Sequence, residues 1–168
     1  MEFVKPKEIA ITSAMLASSG QRLGNYLIDM VIHNIINVIP IGIGWILYEF
    51  FGNYELSLWL ESINPIVDFL ISYLIIVIYY MIFESLTGKS IGKYVTNTKV
   101  MMADGSKPEP YSIFVRSLCR LIPFDQLSFL GTIPKGWHDT LSKTVVVDLK
   151  KYNQELEMQD SINEIGQE

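Results

Sequence analysis

The chain has no lysine or arginine between Arg22 and Lys89, although it is 168 residues long. Charged residues make up only 18% of the sequence, whereas a soluble domain usually carries about a quarter. The interval without basic charge is mostly aliphatic or aromatic, and 49% of the whole chain is hydrophobic. This combination is typical of a protein embedded in a lipid bilayer.

Other scarce residue types exclude several kinds of chemistry. One cysteine, Cys119, excludes an internal disulfide, and we expect it to be a small buried residue rather than a nucleophile. The two histidines, His33 and His138, lie far apart and lack the spacing of a metal site. Gly88-Lys89-Ser90 is similar to the end of a phosphate-binding loop, but Phe83 stands where that motif needs a glycine. The sequence therefore predicts no cofactor, no metal and no enzymatic activity.

The apolar interval divides into two predicted membrane spans, near residues 23–47 and 66–84. Pro40 should kink or break the first span, and Pro65 suits the first turn of the second. Residues 49–68, which connect the spans, carry four acidic residues and no basic one. By the positive-inside rule, both termini then lie in the cytoplasm, and the chain is a multi-pass protein of the cell (inner) membrane.

The sequence after the second span predicts a small cap on the cytoplasmic side. Residues 95–102 alternate with period two and predict a strand, which should pair with a second strand near residues 143–148. Asp104-Gly105 predicts a hairpin turn. Residues 111–122 predict an amphipathic helix at the membrane interface, with Arg116 and Arg120 on one side. The expected fold is an α-helical membrane protein with two transmembrane helices, this amphipathic helix and a small β-hairpin or sheet cap.

The domain organisation follows from these elements. Residues 1–20 form an N-terminal segment without the features of a cleaved signal peptide, so the first span should act as an uncleaved signal anchor. Residues 21–150 form the membrane domain. Residues 151–168 are acidic and polar, and we expect a flexible tail.

Four polar residues recur every fourth position along the first span and form a stripe on one side of the helix: Asn25, Asp29, His33 and Asn37. The stripe has two interpretations. One is a face that handles protons or cations, with Asp29 as the titrating group. The other is a helix–helix seam held by polar contacts.

Asp29 needs a partner, because an unpaired carboxylate at the centre of a span costs about 2.5–3.5 kcal/mol. Arg22 lies two turns away, and Arg116 and Arg120 are the other candidates. Attraction to anionic lipid headgroups is the alternative role for this arginine pair, and Lys89 and Lys93 are also expected at the headgroups. The predicted intramembrane cluster consists of Arg22, Asp29, Arg116, Arg120 and Asp139.

Several segments, taken in order, resemble the RDD family of small bacterial membrane proteins: residues 22–29, 88–93, 98–105, 115–120 and 136–147. The resemblance implies that Arg22, Asp29 and Asp139 are the arginine and the two aspartates of the family name. It also implies an integral membrane protein with a suspected role in transport. Many members have a third apolar span before the last aspartate, but here only residues 121–133 are available, and Pro123, Asp125 and Gly131 interrupt them.

Two functions fit these observations. The first is a transporter or transporter subunit that handles cations or protons at Asp29. Since two spans cannot enclose a path, it would need a homo-oligomer or a membrane partner protein, and the small residues Gly20 and Gly24 suit self-association. The second is a non-transporting membrane scaffold or accessory protein whose Arg–Asp cluster is structural. In both cases the partners are the bilayer and other membrane proteins, not nucleic acid.

Overall fold

The first membrane helix is longer than the sequence predicted. The computed structural model describes residues 9–131 and 134–165, and its helix α1 covers Ser19–Phe51. A capping box between Ser18 and Gln21 begins the helix, and Gly52 in the left-handed conformation ends it. Pro40 lies inside one uninterrupted helix, so the expected break there is wrong. Short helix α2, Glu55–Ser62, follows in the connector.

The second membrane helix, α3, covers Pro65–Thr87. Asn64 caps it by accepting a hydrogen bond from the backbone N–H of Ile66 at 2.9 Å, and Pro65 occupies its first turn as predicted. Gly88 ends the helix with φ 72°, a conformation that glycine adopts without the steric penalty of a side chain. The glycine of the Gly88-Lys89-Ser90 segment is therefore a helix stop.

Helices α1 and α3 are the two described helices that are long and apolar enough to cross a membrane. Only 6% and 17% of the residues in their most apolar windows are buried. A core helix of a soluble protein would bury such a surface, so these exposed aliphatic side chains face lipid. Residues 121–131 contain a 3-10 segment, Asp125–Leu130, instead of a third span.

The cap consists of residues 9–17 together with the described residues from 89 to 165. Its centre is a two-stranded antiparallel sheet of β1, Thr98–Met102, and β2, Thr144–Asp148, in which Val100 lies opposite Val146. The predicted pairing is confirmed. The strands are far apart in the chain, so Asp104-Gly105 turns the backbone without forming a hairpin.

Apolar side chains cover both faces of this sheet. One cluster combines four buried residues from the N-terminal segment, both strands and the helix around Ile113: Ala17, Val100, Ile113 and Val146. The other lies on the opposite face and includes Met15, Met101, Val145, Val147 and Tyr152. The bridge between Leu16 and Val147, together with these apolar contacts, therefore fixes residues 9–17 and Tyr152 against the same sheet.

Helix α5 covers Pro110–Cys119, a shorter range than the predicted 111–122. Its arginine side is turned toward the protein, and Arg116 is 1% exposed, whereas Phe114 and Leu118 are exposed. A helix on a soluble protein buries its apolar side and exposes its charged side, whereas α5 does the opposite. Its exposed apolar side suits a position beside lipid. Cys119, just before the helix end, is buried as predicted.

Short helix α4, Ile91–Val95, connects α3 to β1, and α6, Trp137–Leu141, precedes β2. The chain then continues into α7, Leu149–Ile165. The tail is therefore helical over residues 151–165, and its expected flexibility stays a prediction. Tyr152 anchors α7 because its side chain is buried against the sheet.

Candidate functional site

Glu84 is the centre of a buried network of charges at the cap end of the two spans. It lies in the last turn of α3 and is fully buried. Lys93 Nζ lies 2.8 Å from its Oε1, Arg116 Nε lies 3.1 Å from its Oε2, and Arg120 Nη2 lies 3.6 Å from Oε1. A carboxylate near a helix C-terminus is opposed by the helix dipole, so these three cations are what stabilises its charge.

Asp139, at the start of α6, is the second buried carboxylate of the network. It accepts a hydrogen bond from the Gly136 backbone N–H at 2.8 Å and forms ion pairs with Arg22 at 2.6 Å and with Arg116. Burial raises the pKa of Asp139, but the charges of Arg116, His138 and Arg22 outweigh it and hold that pKa well below the ordinary value. The side chain is therefore ionised at neutral pH.

Arg116 connects the two carboxylates. Its Nε faces Glu84 on the membrane helix, and its Nη1 faces Asp139 and also donates to Thr144 Oγ1 at 3.1 Å. One planar guanidinium thus joins α3, α5, α6 and β2, a use for which the rigid fork of arginine is suited. Enclosure inside the protein rules out the alternative in which Arg116 faces lipid headgroups.

Asp29 is satisfied in a different way from the one the sequence predicted. Its Oδ1 accepts hydrogen bonds from the Tyr79 hydroxyl and the Gly92 backbone N–H, both at 2.8 Å. Its Oδ2 accepts from the Tyr80 hydroxyl at 3.1 Å and from the Ser90 hydroxyl at 2.5 Å. The expectation that an arginine pairs it directly is wrong within the described structure, because neutral hydroxyl and amide donors take that place.

Gly92 allows this arrangement because α4 packs directly on α1. A Cβ at this position would lie 2.5 Å from the backbone oxygen of Asn25. Any larger residue would push α4 away from α1, and with it the amide that donates to Asp29. The segment that follows α3 is therefore held to the first span by Asp29.

The rest of the polar stripe mostly contacts other elements. Asn25 donates to Thr98 Oγ1 of β1 at 3.0 Å, and His33 Nε2 lies 3.1 Å from the Ser72 hydroxyl of α3. Asn37 donates to His33 and to the backbone of its own helix. Three of the four stripe residues thus face a partner element, which favours the helix-seam interpretation.

The sequence predicted Lys93 at the lipid headgroups, and this is wrong, because Lys93 is 2% exposed and paired with Glu84. Glu84, Asp125 and the His138 side chain were missed as site residues. Asp125 Oδ2 lies 2.6 Å from His138 Nδ1, and its Oδ1 accepts from the His138 backbone N–H. A carboxylate in the last turn of a span, where the dipole opposes it, is the signal that would have found Glu84.

Formal charges in the network balance. Four carboxylates face four cations: Asp29, Glu84, Asp125 and Asp139 against Arg22, Lys93, Arg116 and Arg120. A cavity of about 30 Å³ lies among them, enough for one or two water molecules, and the Arg22 Nε and Nη2 atoms beside it have no partner in the described structure. The described residues contain no group of three or more side chains able to hold a metal ion.

Two lipid-facing helices, joined to a small cap through buried ion pairs, define an integral membrane protein of the helical class. The chain matches the RDD family over residues 16–147, which is most of its length, and it belongs to that family. The match includes Arg22, Asp29 and Asp139, the residues on which the resemblance rests. No curated protein and no solved structure matches the chain.

Proposed function

We propose that this protein is a non-transporting scaffold or accessory protein of the cell membrane, whose charge cluster fixes the two spans and the cap as one body. The observation that supports it most is the closed bonding of the carboxylates. Both oxygens of Asp29 accept two hydrogen bonds each, and Glu84 and Asp139 are each paired with at least two cations. A carboxylate that carries ions must exchange its partners for the ion, and these have strong partners already.

Ion flux into proteoliposomes tests this function. Purified wild-type protein and Asp29→Asn are reconstituted separately, and cation flux is followed under an imposed pH gradient. The proposal expects no flux above that of empty vesicles from either protein. A pH-dependent flux that disappears in a folded Asp29→Asn protein would overturn it.

The second candidate is a transporter or transporter subunit, and one observation favours it. A cavity of about 280 Å³ lies between α1 and α3, and His33 and Ser72 contribute to its lining. Two spans do not enclose a path, so this function needs a second copy or a partner. The charged residue of the cavity is Arg120, which disfavours a cation there. The flux measurement above separates the two functions.

We also propose that both termini face the cytoplasm, as the acidic connector and the basic flanks indicate. Single cysteines at exposed Asn53 and Gln154, in a Cys119→Ala background, allow labelling from either side of the membrane. Reagent from outside should label Asn53→Cys and spare Gln154→Cys; the reverse would contradict this orientation. Gly24 packs beside Thr96 of the same chain, whereas Gly20 is exposed.

A further inference from the structure

The cavity between α1 and α3 is an elongated slot with a cation at one end. From Tyr80 to Phe69 its lining extends along α3 over about 16 Å at 1.5 Å per residue. Arg120 and Gln126 lie at the cap end, and His33 and Ser72 lie deeper between the spans. The slot thus has a charged end at the membrane edge and a body that enters the membrane.

Apolar side chains predominate in the body of the slot, which is open toward lipid. Met30, Phe69, Ile76 and Leu121 contribute to its lining, and Phe69 and Leu121 are 62% and 48% exposed. These rim residues belong to the surface that faces the bilayer. A ligand can therefore enter from the lipid. Its apolar part then exchanges contacts with lipid tails for similar contacts with the side chains of the slot.

Arg120 is the cation of the charge network that lines the slot. Its single ion-pair contact in the described structure, to Glu84, is the longest of those made by Glu84, at 3.6 Å. Its guanidinium also lies over the Tyr80 ring, 3.7 Å from the centroid. The Arg120 side chain is 9% exposed, and its buried Nε has no hydrogen-bond acceptor among the described residues. A buried donor without an acceptor is unfavourable, so an added acceptor is favoured.

We propose that this slot binds one acidic phospholipid, with its phosphate at Arg120 and one acyl chain along Met30 and Ile76. The phosphate supplies the negative acceptor that the guanidinium lacks, and arginine is suited to phosphate oxygens. Basic pockets between membrane helices are known sites for anionic headgroups. A metal cation is repelled by Arg120, and a soluble anion leaves the apolar slot unfilled.

Native mass spectrometry of the detergent-purified protein tests the proposal. Phosphatidylglycerol and phosphatidylcholine with the same acyl chains are titrated separately, and glycerol phosphate provides the soluble anion. We expect at least tenfold tighter binding of one phosphatidylglycerol than of phosphatidylcholine, and no retained glycerol phosphate. Equal affinity for the two lipids, or glycerol phosphate bound as tightly as phosphatidylglycerol, would overturn the proposal.

Variants locate the binding on the protein. Arg120→Gln should reduce phosphatidylglycerol affinity to the phosphatidylcholine level. Lys107→Gln, which removes an exposed cation near the end of α3 but outside the slot, should leave it unchanged. An equal loss in both variants would show diffuse attraction to headgroups and contradict the proposed site.

Ile76→Phe keeps Arg120 and fills the slot, so it tests the site even if Arg120→Gln does not fold. It should weaken phosphatidylglycerol binding at least fivefold. Unchanged binding by folded Ile76→Phe would show that the acyl chain lies elsewhere and would overturn the proposal. The outcome does not depend on whether the protein transports ions.

Discussion

Asp29 of α1 and Glu84 of α3 are both buried carboxylates at the cap end of a membrane helix, but the protein stabilises them in opposite ways. Asp29 receives four hydrogen bonds from three hydroxyls and a backbone amide. Glu84 lies among three cationic side chains. The neutral donors around Asp29 do not need a negative charge beside them. The three cations around Glu84 do, because its carboxylate compensates their buried positive charge. The two sites should therefore respond differently to loss of the same charge.

The largest expected effect is at Glu84. Glu84→Gln keeps the size of the side chain but leaves Lys93, Arg116 and Arg120 without their shared carboxylate, so the free energy of unfolding should fall by about 3–5 kcal/mol. Equilibrium unfolding in mixed micelles measures the change. Glu49→Gln, at an exposed position in α1, is the matched control and should change stability by less than about 0.5 kcal/mol. A loss below about 1 kcal/mol at Glu84 would show that the cations find other partners.

A fall in pH should first destabilise the charge network through His138, and only at lower pH through its carboxylates. Burial and the nearby Arg116 charge lower the pKa of His138 to about 4, whereas an unfolded histidine takes up its proton near pH 6.5. The unfolded chain therefore binds more protons between these values, and stability falls as pH decreases from about 6.5 to 4, by about 3 kcal/mol. Below that window, protonation of Asp139 removes further stability, because its folded pKa is depressed.

Unfolding measured at a series of pH values gives this slope. His138→Asn, which cannot titrate, should remove most of the decrease between pH 6.5 and 4. A wild-type protein of constant stability over that interval would show that His138 is already protonated between Asp125 and Asp139, which lie 2.6 and 3.5 Å from its ring nitrogens.

A smaller effect is expected at Asp29. In Asp29→Asn, the amide oxygen can still accept from the Gly92 N–H, and the amide N–H₂ can donate to hydroxyls that rotate to accept. The loss should be about 1–3 kcal/mol, less than at Glu84, as measured by the same micelle unfolding. Equal losses at the two positions would mean that Asp29 is coupled to the arginines and that the distinction between the sites is false.

The smallest effects separate the two ends of the polar stripe. Asn25 contacts β1 from α1 and is 5% exposed, so Asn25→Ala should cost about 1–3 kcal/mol. Asn37 bonds only within its own helix in the described structure, and Asn37→Ala should stay within about 0.5 kcal/mol. Thermal unfolding of the two variants side by side provides the test. A larger loss at Asn37 would indicate a partner beyond this chain.

Much of this architecture could be predicted because its causes are local. The span α3 follows from an apolar run between Pro65 and Gly88, and the two strands follow from alternation in residues 95–102 and from the β-branched run of residues 144–147. The site was harder to predict from the sequence, because its contacts join residues that are far apart in the chain. Arg22 and Asp139 had a signal in the family motif, but nothing local shows that Tyr79 and Ser90 satisfy Asp29, or that Lys93 turns inward to Glu84. The helicity of the tail was missed because Tyr152, which anchors it, is one residue in a polar segment.

The ion pair between Arg22 and Asp139 also sets an order of events during synthesis. The two residues are 117 positions apart, and the ribosome adds about 5–20 residues per second. Arg22 therefore exists for roughly 6–23 seconds before its carboxylate has been made. Both spans are made within that interval, while Arg22 carries a positive charge that is not yet paired with Asp139, and positive charge beside a first span is what orients it in the membrane. On the proposed orientation, the same arginine serves as a topology signal while the chain grows and as a structural ion once Asp139 has been made.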